Sequence, residues 1–248
     1  MIEVKNISKS FGEHKVLKDV STVFLEGKTN LIIGQSGSGK TVLMKSCVGL
    51  HEVDKGAIFF NKRNFTAMKE REKRQIRKEV GMLFQGGALF DSLNVKQNVM
   101  FPLDMFTNMS SKEKLDRVNF CLDRVNLPNV NHLFPSELSG GMIKRVAIAR
   151  AIAMNPKYLF CDEPNSGLDP HTSSVIDNLI SEITHEFNIT TVVNTHDMNS
   201  VLEIGENIAF IYKGELWWTG DKTAILDTNN NELNEFVFNN ELTRRLKR

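Results

Sequence analysis

In Asn30-Leu31-Ile32-Ile33-Gly34-Gln35-Ser36-Gly37-Ser38-Gly39-Lys40-Thr41 a short apolar run passes through a glycine-rich turn into a Lys-Thr pair. A strand feeding such a turn, with a helix starting near Lys40, lets backbone N–H groups close around phosphate oxygens and sets the positive end of the helix behind them. The Gly-x4-Gly-Lys-Thr spacing predicts that Gly34, Gln35, Ser36, Gly37, Ser38 and Gly39 wrap phosphates. Lys40 would reach the β and γ phosphates, and the Thr41 hydroxyl would bind Mg²⁺.

Working outward, Val80 to Phe84, Tyr158 to Cys161 and Thr190 to Asn194 resemble Leu31 to Ile33: short apolar runs that suit strands covered on both faces, with helical patterns between the later ones. Ile2 to Ser8 and Val16 to Phe24 alternate as exposed strands do. The pattern predicts a βαβ arrangement with a parallel core, preceded by a small antiparallel layer. Between Gln85 and Asn155 the strand signal disappears. Ser110-x-x-Glu113 reads as a capping box there, and Leu115, Val118, Leu122 and Val125 form one helical stripe, so this stretch is expected to be an inserted helical subdomain. Asn229-Asn230-Asn231 predicts a loop before a final short helix from Glu232 to Phe238. With one phosphate loop and no internal repeat, one nucleotide module is expected.

The remaining chemistry sits at strand ends. Tyr158-Leu159-Phe160-Cys161 leads into Asp162-Glu163, which at the carboxyl end of a central parallel strand would lie beside the phosphate loop. Asp162 suits the Mg²⁺ shell and Glu163 the attacking water, since one carboxylate stays ionised near the metal while its neighbour accepts a proton. His196 follows Val192-Val193-Asn194-Thr195; a lone histidine is more often structural, but at a strand end it would donate to the γ-phosphate or hold Glu163 and the water in register. Gln85 follows Val80 to Phe84 and would touch Mg²⁺ or the water, although a glutamine alone reads as a surface amide.

Composition narrows the class. The 248 residues are 41% hydrophobic, and 31 basic against 30 acidic residues provide no global attraction to nucleic acid. Met1-Ile2-Glu3-Val4-Lys5 lacks a basic region followed by an apolar one, and no stretch of about 18 residues is free of charge, so neither a signal peptide nor a membrane span is expected. Cys47, Cys121 and Cys161 are scattered in apolar stretches and read as buried, reduced, cytoplasmic cysteines.

Together these residues resemble the ATP-binding cassette (ABC) family over nearly the whole chain. Walker A runs from Gly34 to Thr41, the glutamine loop holds Gln85, the signature is Leu138-Ser139-Gly140-Gly141-Met142, Walker B ends at Asp162-Glu163, the Asp loop is Gly167-Leu168-Asp169, and the His switch is His196. The resemblance implies an α/β ABC ATPase fold across residues 1–248. It would comprise a P-loop RecA-like parallel-sheet core (1–85 and 156–228), an N-terminal antiparallel β layer, an α-helical subdomain at about 86–155 and a C-terminal extension at 229–248. It also implies ATP and Mg²⁺ as cofactors, a catalytic group of Glu163, His196, Gln85 and Lys40, and a metal set of Thr41, Gln85 and Asp162. Phe11 matches the aromatic that stacks on adenine. Two copies would pair head to tail, each ATP lying between one Walker A and the partner copy's signature. Ser139, Gly140 and Gly141 would then meet the other protomer's γ-phosphate. Met142 replaces the usual signature glutamine, and Asn165 and Ser166 depart from the commonest spelling before the Asp loop.

Gly81-Met82-Leu83-Phe84-Gln85-Gly86-Gly87-Ala88-Leu89-Phe90-Asp91-Ser92-Leu93 is similar to the glutamine loop of Mla-type ATPases, which drive phospholipid transport with Mce-domain proteins. This resemblance implies a membrane permease and an Mce-domain lipid-binding protein as partners, at the cytoplasmic face of the bacterial inner membrane. Phe90, Met100, Phe101 and Met105 are then candidate permease contacts, or else they simply pack the helical subdomain. Asn234-Glu235-Phe236-Val237-Phe238 resembles the group's partner-contacting C-terminal extension, and Arg244, Arg245, Lys247 and Arg248 end it with a basic tail. A lipoprotein-releasing or small-solute transporter, or a regulatory ABC protein of cell division, would carry the same core motifs.

Overall fold

The computed structural model describes residues 1–238. Ten strands and eight α-helices follow one another as β1 (Ile2–Phe11), β2 (His14–Phe24), β3 (Thr29–Ile33), α1 (Lys40–Cys47), β4 (Lys55–Phe60), β5 (Arg63–Asn64), α2 (Glu70–Lys78), β6 (Val80–Leu83), α3 (Val95–Phe106), α4 (Ser111–Arg124), α5 (Gly140–Ile152), β7 (Tyr158–Asp162), α6 (Pro170–Glu186), β8 (Thr190–Asn194), α7 (Met198–Ile204), β9 (Asn207–Tyr212), β10 (Glu215–Gly220) and α8 (Asn231–Val237). Every residue of β3, β7 and β8 is buried. Their β-branched and aromatic side chains suit a pleated surface covered on both faces.

These strands sit in a six-stranded sheet of order β10-β9-β3-β8-β7-β6, in which β9, β3, β8, β7 and β6 run parallel and β10 closes an edge antiparallel. The second sheet, β2-β1-β4-β5, is antiparallel. The expected N-terminal antiparallel layer is present in β1 and β2, and β4 and β5 join it after β3 and α1. Tyr158 of β7 meets Phe60 of β4 edge-on at 4.7 Å, which seats one layer on the other. All parallel strands therefore point their carboxyl ends the same way, and the segments after β3, β6, β7 and β8 gather at one edge.

Residues 86–155 contain helices and no strand. Ser110 caps α4 as its spelling requires: its hydroxyl accepts from the Glu113 N–H at 3.3 Å and its own N–H donates to Glu113 Oε2 at 2.7 Å. Val118, Leu122 and Val125 are buried, but Leu115 is 37% exposed. The three cysteines are buried and unpaired, and burial pushes the thiols of Cys47 and Cys121 up to about 12 and about 11. Among the described residues no helix is long and apolar enough to cross a membrane. The basic tail at Arg244, Arg245, Lys247 and Arg248 lies outside the described residues.

Candidate active site

The loop between β3 and α1 is shaped by two close approaches. Gly34 has φ +147°, and a Cβ there would lie 2.2 Å from the Ile211 carbonyl oxygen; Gly39, at φ +107°, would press a Cβ to 2.9 Å from Leu17. Only glycine fits both the left-handed backbone and the space. The buried Lys40 folds its Nζ onto the carbonyls of Gly34 at 2.8 Å and Gln35 at 3.0 Å. Burial lowers its ammonium from the ordinary range, and Glu163 and Asp162 partly offset that.

Two linked clusters lie beside the loop. In the first, Thr41 Oγ1 and Asp162 Oδ1 are 3.5 Å apart, and Asn194 Nδ2 donates to both, at 3.0 and 2.6 Å. Sequence reasoning missed Asn194, a fully buried residue; its signal was a polar side chain closing the run Thr190-Thr191-Val192-Val193. In the second, Glu163 Oε1 meets His196 Nδ1 at 3.2 Å and Glu163 Oε2 accepts from Gln85 Nε2 at 3.2 Å. Glu163 holds φ +46°, a strained value for a long side chain, and its N–H is tied to the Asn194 carbonyl at 2.9 Å.

A cavity of about 830 Å³ opens over this edge, lined by Gln35, Ser36, Gly37, Gly39, Lys40, Thr41, Gln85, Glu163 and His196. Glu235 and Phe236 of α8 line it as well. The segment expected to reach a partner copy thus packs on its own chain, Phe236 lying 5.6 Å from Phe210. Two further residues escaped the sequence reading. Lys144 of α5, almost fully buried, donates to the Gln85 carbonyl, and Arg150 donates to the carbonyls of Gly87 and Ala88 at 2.7 Å each, so α5 holds the glutamine loop from behind.

The signature and Phe11 are not brought into this cavity. Ser139 caps α5, accepting from the Met142 N–H at 3.3 Å, which leaves its hydroxyl proton free to donate; Ser139 and Gly140 are exposed. Phe11 is 46% exposed, with its ring edge-on to His51 at 5.2 Å.

A second concavity, of about 450 Å³, lies on the flank beyond the glutamine loop, between β6 and α3, lined by Val80, Met82, Phe84, Ala88, Phe90, Phe101, Pro102, Phe106 and Met154 with Arg77, Lys78 and Arg150. Phe90 and Phe101 touch at 4.7 Å, and Phe84, Phe90, Phe101 and Phe106 are between 38% and 48% exposed. Of the other apolar candidates, Met100 packs on the core and Met105 is 60% exposed outside the groove.

A family model described as "ABC transporter" matches residues 17–166. The chain is 39% identical over 237 residues to a methionine import ATP-binding protein of Clostridium acetobutylicum, covering 96% of this chain and 74% of that one. It is 34% identical to a probable ribonucleotide transport ATP-binding protein of Mycobacterium leprae, covering 95% and 68%. Among solved structures, the dimeric ATP-binding cassette MJ0796 in a post-hydrolysis state with ADP and Pi superposes with a TM-score of 0.81 at 33% identity, covering 90% of this chain and 99% of that one. A cassette of the cbiONQ transporter complex from Clostridium perfringens superposes with a TM-score of 0.85 at 27% identity, covering 99% and 96%.

Proposed function

Because this chain belongs to the ABC transporter family as an ATP-hydrolysing subunit, we propose that its ATPase cycle moves phospholipid through a membrane permease with an Mce-domain partner, at the cytoplasmic face of the bacterial inner membrane. The enzyme uses ATP and Mg²⁺.

The donor set fits the metal. Thr41 Oγ1 and Asp162 Oδ1 offer one hydroxyl and one carboxylate beside a phosphate-binding loop, with Asn194 holding both. Mg²⁺ is usually bound by one or two such oxygens, its other positions going to water and substrate phosphates, where it neutralises charge on the β and γ oxygens. Lys40 faces the same phosphates. Glu163 takes the proton of the attacking water, while His196 on one carboxylate oxygen and Gln85 on the other keep it aimed. This clasp on Glu163 is the observation that carries the catalytic reading. The exposed Ser139 and Gly140 at the start of α5, outside their own chain's cavity, support use in trans: a second copy, paired head to tail, would bring the Ser139-Gly140-Gly141 cap to the first copy's γ-phosphate.

The cargo reading rests on Gly86-Gly87-Ala88-Leu89-Phe90-Asp91-Ser92, whose Ala88 and Phe90 line the aromatic groove where a helix of the permease would dock. The division into a core (1–85 and 156–228), a helical subdomain (about 86–155) and an extension (229–248) is part of the same proposal, since docking on the helical part is what would transmit closure. A second reading, small-solute import, is favoured by the 39% identity to a methionine import protein. Purification from native membrane in mild detergent, with mass spectrometry of co-purifying proteins and lipids, separates them. A permease, an Mce-domain protein and phospholipid are expected; a solute-import permease without bound lipid would keep the ATPase and discard the cargo.

A further inference from the structure

Three buried polar side chains between α6, α7 and the loop after β7 are used by nothing described so far. Asn165 Nδ2 donates to Asp177 Oδ2 of α6 at 2.8 Å and to Ser200 Oγ of α7 at 3.0 Å. Asp177 and Ser200 are essentially inaccessible and Asn165 nearly so. The cluster is a poor device for stability, since Asn165 Oδ1 and Asp177 Oδ1 meet no hydrogen-bond partner among the described residues. Apolar side chains of similar size in such a place are often neutral or stabilising.

Its position explains what it does. Asn165 stands two residues after Glu163 in a tight turn where the Ser166 N–H donates to the Glu163 carbonyl at 3.2 Å and the Leu168 N–H to the Asn165 carbonyl at 3.1 Å. Ser200 stands in the first turn of α7, whose N-cap, Asp197, directly follows His196. The bond from Asn165 to Ser200 therefore spans the two loops whose tips meet at the Glu163–His196 contact of 3.2 Å. Glu163 is held there at φ +46°, a backbone that relaxes unless its surroundings over-determine it. Ser166, the next residue, accepts from Gln85 at 3.3 Å, so the same turn also sets the other side of the clasp.

We propose that Asn165, gripped by Asp177 and Ser200, is a positioning residue that holds the Glu163 loop in register with the His196 loop. This rests on the assignment of Glu163 and His196 to the water-activating pair. A misplacement of about 1 Å in such a pair costs on the order of a hundredfold in rate.

The test measures ATP turnover by the full-length chain purified with the membrane proteins that accompany it. Asn165→Val should lower kcat by about ten- to a hundredfold. KM for ATP should stay within about twofold, as expected where geometry at the reacting groups is lost, while Tm should fall, because Asp177 loses a donor and stays buried. In a His196→Ala background the same substitution should add little, because the contact it protects is already gone. Asp177→Asn keeps an acceptor for Asn165 and should restore most of the rate that Asp177→Ala loses. An unchanged kcat, or a loss that multiplies fully with His196→Ala, would overturn the proposal. If Asn165→Val does not fold, Ser200→Ala removes one hydroxyl from the same bond and reads the same cycle. Glu163→Gln run alongside separates the two claims: near-normal turnover there removes the water-activating pair itself, whereas a slow Glu163→Gln with an unaffected Asn165→Val removes only the clamp.

Discussion

The cavity beside the Gly34–Thr41 loop and the aromatic groove lie on either side of one loop, and they are built on opposite principles. In the cavity the side chains are polar, each held by a hydrogen bond, and positive-φ backbone is adopted freely at Gly34 and Gly39 and with strain at Glu163. In the groove the side chains are phenylalanines left half in water, ringed by Arg77, Lys78 and Arg150, with the Arg150 guanidinium 5.9 Å over the Phe90 ring. The loop between them is clamped to both: Lys144 and Arg150 hold its carbonyls, and Asn98, fully buried, accepts from the Phe90 N–H at 2.8 Å and donates to the Phe90, Leu93 and Asn94 carbonyls. A rigid loop with chemistry on one face and apolar surface on the other is suited to carry a change at the phosphate to whatever covers the groove.

If the two faces have separate duties, separate damage should follow. The largest effect belongs to the cavity: Glu163→Gln should keep ATP-induced thermal stabilisation and lower turnover by roughly 10²–10⁴, the usual worth of a general base. Turnover near normal would break the contrast at its stronger end. Phe90→Ser combined with Phe101→Ser should do the converse, leaving the ATP-induced melting shift of the isolated chain unchanged while weakening retention of the membrane partner by about 2–4 kcal/mol, as loss of aromatic anchors does. Undiminished co-purification would show the groove to be packing only.

A smaller effect sharpens the cost of the buried polar cluster. Burial pushes the Asp177 carboxyl up to about 6, Glu203 and Asp197 add like charge, and the bonds from Ser200 and Asn165 pull the other way. Cys161 of β7 is a further titratable neighbour. The folded chain thus binds this proton more tightly than the unfolded chain. Its contribution to stability is present below the ordinary carboxyl range, is lost as pH rises towards about 6, and stays lost above. Asp177→Asn should flatten that window and stabilise the chain at pH 7 by about 1–3 kcal/mol. Equal pH profiles for Tm in the two proteins would show that Asp177 is not charged in a buried site.

Much of the cavity was legible because its signals are local. Gly34 to Thr41 has the spacing of a tight turn, Ser110 and Glu113 cap their helix through atoms three residues apart, and Asp162-Glu163 ends a short apolar run that suits a covered strand. What escaped was long-range. Asn194 matters because Thr41 lies 153 residues away in sequence and Asp162 lies 32 away, Lys144 because Gln85 is 59 residues away, and Asn165 because Ser200 is 35 away. No spacing rule joins such pairs. The groove was legible as a list of apolar residues, yet Phe90 and Phe101 belong to it while Met100 and Met105 do not. Periodicity assigns a side chain to a helix face but does not say which neighbour covers that face.

Residues near one another in the chain were enough to fix the glycine-rich turn, the acidic strand end, the covered strands and an all-helical stretch after Gln85, since each follows from backbone and side-chain physics within a few residues. The tertiary structure alone decided that β4 returns to the antiparallel layer, that α8 sets Glu235 and Phe236 against the cavity, and that Asn194 and Asn165 tie the active loops together. Those outcomes depend on contacts between distant segments, whose partners are chosen only when the whole core packs.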